Sequence, residues 1–483
     1  NLLKLLLEIV FSYYSIIPQF MPLISKYLSI GLNHEEQPFV ISSIEFWLEI
    51  AAQERGFRKQ GSFRERTEFN QIVQPIKQSL TVYQPISIFI ELLSKFVRVD
   101  DLAIDDLGEP LPIYLLSSVV IHYFYALQPN TIFCQLRPVI DKLLAHPQNW
   151  IQVHTALTLI RALLNESIPE FVGSYVLQFF DSILNYWTMD QPAKLREIAF
   201  RIILLLLDNY SCGFTNDDHD TQKLDSILQF LEQMLSSIPP ASQLSGDDLT
   251  IFNLGSAIIN RMVRISSTFT IYFDRCFNLS RRFFEIGRSR KFKDIMSVSS
   301  EAITDLAMRS PKCFIIDKLP PLYEEIFTEF ENLSSDHIEN DLFLFLQVEY
   351  CRMLTGFLLK FTQENQEYLE QIARHTLDKV IPLFDTKDSQ LYERIVYVIS
   401  AFILAYPFAP HLQFITQEDL DLIVERFILN GLNGEDPKII AFAAFLLGYI
   451  YQSTAIPADY LFSHFEQFYL LLGYLLFNFE DRS

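Results

Sequence analysis

The sequence predicts an all-α fold, a solenoid of antiparallel helix pairs, on three observations. Hydrophobic residues make up 50% of the 483 residues, yet only 14 are glycine, too few for the turns of a large α/β or all-β protein. Apolar side chains recur at helical spacing in segments of roughly 15 to 25 residues that end at proline or at short polar clusters. The breaks fall at Ile17-Pro18, Asn33 to Glu36, Gln128-Pro129, His146-Pro147, Asp190 to Pro192, Pro239-Pro240, Ser310-Pro311, Phe408 to Pro410 and Gly434 to Pro437. The segments then pair, and successive pairs start about 40 residues apart, the period of HEAT or armadillo units rather than the roughly 34 residues of tetratricopeptide repeats. A chain this long exceeds one ordinary core, and residues 1–483 accommodate one continuous HEAT-repeat α-solenoid of about ten repeats.

In order along the chain, Met21 to Gly31 is followed by Phe39 to Ala52. In the second of these, FVISSIEFWLEIAAQE, the side chains of Val40, Ile44, Trp47, Leu48, Ile50 and Ala51 form one apolar stripe. A helix is expected over roughly Gln71 to Val97, then an acidic loop, 99–110, with Asp100, Asp101, Asp105, Asp106 and Glu109. Ile132 to Leu144 pairs with Trp150 to Leu164, and Phe171 to Tyr186 with Lys194 to Leu207. A longer loop, 208–222, carries Asp208, Asp217, Asp218 and Asp220; acidic loops of this kind are usually solvated. Leu369 to Phe384 precedes Leu391 to Ala405, and Leu420 to Leu429 precedes Ile439 to Tyr451. Several second helices carry a small residue about a third of the way in (Ala156, Ala199, Ala441 or Ala443), where neighbours can approach closely, so these helices are expected to line the inner, concave face.

Composition narrows the function. With 59 acidic against 38 basic residues the formal net charge is -21, which repels nucleic acid and draws basic partners within a Debye length of roughly 8 Å. One stretch opposes this: Arg261 to Lys293 holds Arg261, Arg264, Arg275, Arg281, Arg282, Arg288, Arg290, Lys291 and Lys293 against only Asp274 and Glu285. An intramolecular or acidic-protein contact suits it better than nucleic acid, because no RNA-binding aromatic motif accompanies it. The mean hydropathy of +0.17 and 43 phenylalanines raise the question of a membrane. The most apolar runs, such as Ala199 to Leu207, reach about half of the roughly 20 residues that a crossing needs. Five scattered cysteines without a CxxC suit a reducing compartment and read as small core hydrophobes. No phosphate-binding loop, nucleophile elbow or HExxH occurs, so neither an enzyme, a cofactor nor a metal is expected. The chain starts inside a helical pattern, NLLKLLLEIVFSYY, without a charged n-region or cleavage site, which reads as a cut through a longer protein.

The stretch from Tyr13 to Glu54 resembles the importin-β family of nuclear transport receptors. The carriers are Tyr13-Tyr14 before a first helix, the triplet Glu45-Phe46-Trp47 in the second, and the acidic Glu49 and Glu54. The acidic loop follows where that family has its own, Asn149-Trp150 resembles the family's D-W-R opening, and Leu195-Arg196-Glu197 resembles its V-R-D or V-K-E one repeat later. Beyond about Asp208 the similarity is one of layout. Ile151 and Val153 stand where the family's opening has arginines, and Arg201, Asn253 and Asn260 mark regions where its inner helices carry tryptophans.

The resemblance implies the central to C-terminal part of a monomeric receptor that works in cytoplasm, nucleus and nuclear pore. Such a receptor wraps basic cargo proteins or an importin-α-like adaptor on an acidic concave surface and binds phenylalanine-glycine nucleoporins on its outer face. A Ran-type GTPase, held mainly by a region N-terminal to this chain, releases the cargo. Carried over by position, Asp100, Asp101, Asp105, Asp106 and Glu109 contact cargo or GTPase, Trp150 and Glu197 face cargo, and Met21, Ile24, Tyr27 and Leu28 line a nucleoporin slot. It implies no direct contact with nucleic acid or membrane. A HEAT-repeat scaffold subunit of a phosphatase or chromosome-organising complex is the alternative, and would ignore both basic signals and phenylalanine-glycine peptides.

Overall fold

A helix that is apolar on more than one face has to be covered on several sides, and this drives the second helices into a layer of their own. The computed structural model describes residues 2–14, 16–59, 64–65, 74–75, 80–96, 113–164, 169–188, 190–214, 218–236, 245–265, 269–334, 338–405, 415–452, 462 and 469. They form nine helix pairs after an initial helix, and their contacts divide into two units, Asn1–Lys223 and Leu224–Ser483.

The first unit runs α1 (Leu2–Ser12), α2 (Met21–Leu32), α3 (Gln37–Lys59), α4 (Ile86–Phe96), α5 (Ile113–Leu127), α6 (Pro129–Leu144), α7 (Trp150–Leu163), α8 (Glu170–Leu177), α9 (Phe180–Asn185) and α10 (Ala193–Asn209). The second helices α3, α5, α7 and α10 lie side by side, and α2, α4, α6 and the broken helix α8–α9 flank them. Proline starts α6 at its first turn, where the missing N–H has no partner to lose. Asn149 caps α7, its side-chain oxygen accepting from the Gln152 N–H. Eleven of the fourteen residues of α7 are buried, so it is enclosed on almost every side. Ala156 and Ala199 are wholly buried.

Of the Glu45-Phe46-Trp47 triplet, Glu45 is exposed and the two aromatic residues belong to the core. Phe46 and Trp47 are fully buried, and Trp47 meets Phe124 of α5 edge-on at 6.0 Å, which in turn meets Phe89 of α4 at 5.7 Å. Glu54, two turns further along the same face, is fully buried too. It accepts from the Tyr14 hydroxyl, from the Leu80 N–H at 2.6 Å and from the Thr81 hydroxyl at 2.9 Å. One expected boundary is corrected. The helix placed over Gln71 to Val97 begins only at Ile86, after a 3-10 turn at Leu80–Tyr83, and a short antiparallel ladder joins Arg64–Glu65 to Gln74–Pro75. Pro85 explains the delay, since it forces Gln84 away from helical backbone.

The second unit holds most of α11 (Asp218–Ser236), then α12 (Gly246–Ile265), α13 (Phe269–Arg290), α14 (Lys293–Arg309), α15 (Phe314–Asp317), α16 (Leu319–Glu331), α17 (Asn340–Glu364), α18 (Gln366–Val380) and α19 (Ser389–Ala405). It closes with α20 (Gln417–Asp421), a π-helical turn at Leu422–Ile428, α21 (Leu429–Leu432) and α22 (Pro437–Gln452). Here α12, α14, α17, α19 and α22 form the second-helix layer. The tight link between α13 and α14 is a left-handed cap at Lys291 (φ 56°), with the Phe292 N–H donating to the Gly287 carbonyl at 2.8 Å.

Two further expectations are corrected, one in this unit and one in both. Helix α17, at 25 residues, is long and apolar enough to cross a membrane by length and composition alone, although no apolar run was expected to approach that length. Within that window 67% is buried among neighbouring helices, and the buried Glu349 at its middle accepts from Ser300 of α14 and pairs with Arg352 at 3.0 Å. Neighbour contacts thus account for its hydropathy. Of the five cysteines only Cys276 and Cys351 are core hydrophobes, with thiols pushed up to about 12 by burial. Cys134, Cys212 and Cys313 are exposed.

Close approach has a measurable consequence at Gly356, where α17 crosses α14. A Cβ there would lie 2.8 Å from the Thr304 carbonyl oxygen and 2.9 Å from its Cα. Backbone cannot swing aside, so Gly356→Ala is expected to destabilise the second unit by about 1–3 kcal/mol despite alanine's better helix propensity. Chemical denaturation followed by far-UV circular dichroism reads this out. An unchanged or raised midpoint would show that the crossing has slack.

Candidate functional site

First helices of adjacent pairs need not seal against each other, because the core is already closed by the second-helix layer beneath. Between α6 and α9 such a gap forms a cavity of about 360 Å³. Its floor is the buried Leu157 and Ile183, its walls are the half-buried Leu144, Phe179 and Tyr186, and Asp141 and Ser182 are exposed at the rim. Pro147, in the turn after α6, closes one end. At the rim Asp141 accepts from the Tyr175 hydroxyl at 2.7 Å, and the Arg137 guanidinium sits over the Tyr175 ring at 5.4 Å. Burial and the bond to Asp141 push the Tyr175 phenol above its ordinary range, so it stays a donor. Burial likewise raises the Tyr186 phenol. The cavity offers an apolar, aromatic-walled cleft with a polar lip, suited to one aromatic or aliphatic side chain rather than to acid-base chemistry.

The residues expected on α2 separate. Met21 and Leu28 are buried in the core, Ile24 is half-buried, and Tyr27 is 65% exposed. The solvent face of α2 is instead Leu23, Tyr27 and Ile30, spaced i, i+4, i+7 and each more than half exposed. Trp150 is half-buried at the start of α7, beside an open cavity of about 790 Å³ lined by the turn from Ala145 to Gln152, and among the described residues no cation lies over its ring. Glu197 on α10 pairs with Arg201 one turn later at 2.7 Å. The acidic loop with Asp100, Asp101, Asp105, Asp106 and Glu109 lies outside the described residues, as does Asp217.

The basic stretch of α12 to α14 is laced to its neighbours. Arg264 reaches Asp305 and Glu301, each at 2.6 Å. Arg275 bonds Glu232 at 2.7 Å and also Asp225, while Arg281 bonds Glu325 at 3.2 Å and also Glu329. Lys291 meets Glu339, Arg282 donates to the Leu235 carbonyl at 3.0 Å, and Lys293 lies over the Phe345 ring at 5.4 Å. Of the two contacts expected for this stretch, the intramolecular one is present. The slot between α6 and α9 escaped sequence reasoning because its lining comes from three helices of two repeats, and Phe179 and Tyr186 read as ordinary core positions.

No protein-family model matches the chain, and no curated protein matches it in sequence. Among solved structures, importin β crystallised in an ammonium sulfate condition matches with a TM-score of 0.76, covering 98% of this chain and 52% of that one at 14% identity. The chain has an importin-β-like karyopherin fold. Kap95 in complex with Nup1 matches at a TM-score of 0.72 and 15% identity, over 98% of this chain and 51% of that one. Kap95p, whose binding induces the switch loops of RanGDP to adopt the GTP-bound conformation, matches at 0.68 and 15% identity, over 98% and 52%. The chain therefore spans about half the length of these importin-β structures. The all-α HEAT-repeat class expected from the period of about 40 residues is the fold found, and in it the α6–α9 slot lies between first helices.

Proposed function

We propose that this chain is part of a nucleocytoplasmic transport receptor that binds rather than catalyses. In this reading it takes phenylalanine side chains of phenylalanine-glycine nucleoporins in slots between first helices. Basic cargo segments or an importin-α-like adaptor bind at acidic surfaces, and a Ran-type GTPase releases them. The observation that carries the reading is the aromatic-walled cavity formed by Leu144, Phe179, Ile183 and Tyr186, supported by the importin-β-like fold. The accessible part of α2, Ile24 and Tyr27, is a second place for such a contact. The acidic residues Asp100 to Glu109, with the exposed Glu45 and Glu49 of α3, are the proposed cargo or GTPase contacts, and Trp150 and Glu197 the proposed inner-helix contacts. Shuttling between cytoplasm and nucleus follows from the same reading.

Burying one phenylalanine ring contributes roughly 1.5–3 kcal/mol, which places a single motif in the millimolar range or weaker and makes multiplicity the source of useful affinity. The test is anisotropy of a labelled peptide carrying several phenylalanine-glycine motifs, alongside the same peptide with serine for phenylalanine. Weak, salt-insensitive binding of the first alone is expected, reduced in Ser182→Trp, which plugs the cleft from its rim without touching the core. Equal binding of both peptides, or none by the folded protein, would move the assignment to a scaffold subunit.

A further inference from the structure

The junction between α6 and the broken helix α8–α9 has two halves of different character. Along α8 it is sealed: Phe133 of α6 meets Phe171 and Tyr175 edge-on at 5.1 and 5.4 Å, and Arg137, one turn further on, covers the Tyr175 ring. Along α9 it is open. Among the described residues no hydrogen bond or ion pair joins α9 to α6, and the cleft occupies the space between them. The helix breaks between these halves, at Gln178 and Phe179, whose N–H groups donate three residues back to the Tyr175 and Val176 carbonyls.

In the second unit the junctions between first helices are braced. Arg275 joins α13 to α11, Arg281 joins it to α16, His375 joins α18 to α16, and Arg374 joins it to α20, each through a carboxylate on the neighbouring helix. The α6–α9 cleft opens where such a brace is missing, so its shape depends on what fixes its aromatic walls. One wall is Phe179, and Tyr175 stands behind it. The two rings meet edge-on at 5.3 Å and 80°, and Tyr175 is only 5% exposed. Its hydroxyl donates to Asp141 at 2.7 Å, whereas the Arg137 carbonyl, at 3.5 Å, is beyond the usual reach of such a bond. A buried hydroxyl keeps the place that satisfies it, because leaving it unpaired is costly.

We propose that Tyr175, anchored by Asp141, is a positioning residue that holds the Phe179 ring at the angle needed to receive an incoming phenylalanine edge-to-face. This rests on the phenylalanine-binding reading given above, and adds to it what selects an aromatic side chain over an aliphatic one of similar bulk. The floor of Leu157 and Ile183 serves either kind. Only an oriented ring in the wall favours the aromatic. Tyr175 itself does not line the cleft, so its effect on a ligand passes through Phe179.

The probes are the labelled peptide with several phenylalanine-glycine motifs and the same peptide with leucine for phenylalanine, each titrated with the whole chain. The parent is expected to prefer phenylalanine. Tyr175→Phe keeps the ring and loses only its anchor; it is expected to weaken phenylalanine binding about three- to tenfold, the worth of one edge-to-face contact, and leucine binding far less. Asp141→Ala is expected to do the same, and Asp141→Asn, which keeps an acceptor oxygen without the charge, to recover most of that loss. In the plugged variant Ser182→Trp, adding Tyr175→Phe is expected to change nothing further. Far-UV circular dichroism checks that each variant is folded, and should Asp141→Ala unfold, Tyr175→Phe against Asp141→Asn decides. No binding of either peptide by the folded parent would overturn the phenylalanine reading and this inference with it. Phenylalanine binding without preference over leucine, parent-like preference in Tyr175→Phe, Asp141→Asn no better than Asp141→Ala, or a further loss in the plugged variant would each overturn this inference alone.

Discussion

Glu54→Ala is expected to lower the stability of the first unit by about 3–5 kcal/mol. The Glu54 carboxylate is fully buried and draws together three segments: its own helix α3, Tyr14 before α2, and the turn at Leu80 and Thr81 before α4. Thr81 is itself held from α6's start by the Gln128 amide, which donates to its hydroxyl at 3.1 Å. Truncation leaves buried donors without their acceptor, at roughly 1–3 kcal/mol each, partly offset by relaxation of the turn. Burial, the Glu54 charge and the bond to it all push the Tyr14 phenol above its ordinary range, so it remains a proton donor throughout the working pH range. All three tryptophans, Trp47, Trp150 and Trp187, lie in this unit, so urea unfolding followed by tryptophan fluorescence reports on it alone. A loss below about 1 kcal/mol, the size of a single ordinary hydrogen bond, would mean that water replaces the carboxylate and the three segments are not held by it.

The second large effect is pH-dependent. His154 on α7 is 5% exposed, edge-on to Tyr114 at 6.1 Å. Burial first, then the charges of Lys194 and Arg161, lower its pKa to about 4 from an ordinary 6.5. The folded value lies below the unfolded one, so the folded state favours neutral imidazole. Its contribution is fully present above pH 6.5 and is lost as pH falls through about 4. The difference corresponds to about 3 kcal/mol once the histidine protonates. His154→Leu is therefore expected to change stability by a constant amount above neutrality, and to gain on the parent by up to about 3 kcal/mol as pH approaches 4. Tryptophan-monitored urea curves over that range measure the difference. A gap that stays flat with pH would show that water reaches the ring.

These two cases show where sequence reading stops. Periodicity places His154 and Glu54 on helices, but both read as solvent-tolerant residues, and burial becomes known only when neighbouring helices are in place. The same limit governed Cys134, Cys212 and Cys313, which are exposed although cysteine is usually buried. It governed α2 as well, where Met21 and Leu28 of the expected slot went to the core and Tyr27 stayed outside. The basic stretch of α12 to α14 was legible as an anomaly of charge, yet its partners Asp225, Glu232, Glu301, Asp305, Glu325 and Glu329 belong to other helices. Most of these lie some 40 residues away.

By itself the sequence determined the helical class, the pairing of helices and the period of about 40 residues. Each of these is written in local spacing that a single helix obeys regardless of its neighbours. Only the tertiary structure decided which helix faces meet, and with that the α6–α9 cleft, the carboxylate staple at Glu54 and the ion-pair lacing of the second unit. The physical reason is that burial and charge pairing are properties of two surfaces at once, and in a repeat fold the second surface is supplied by a segment one period away.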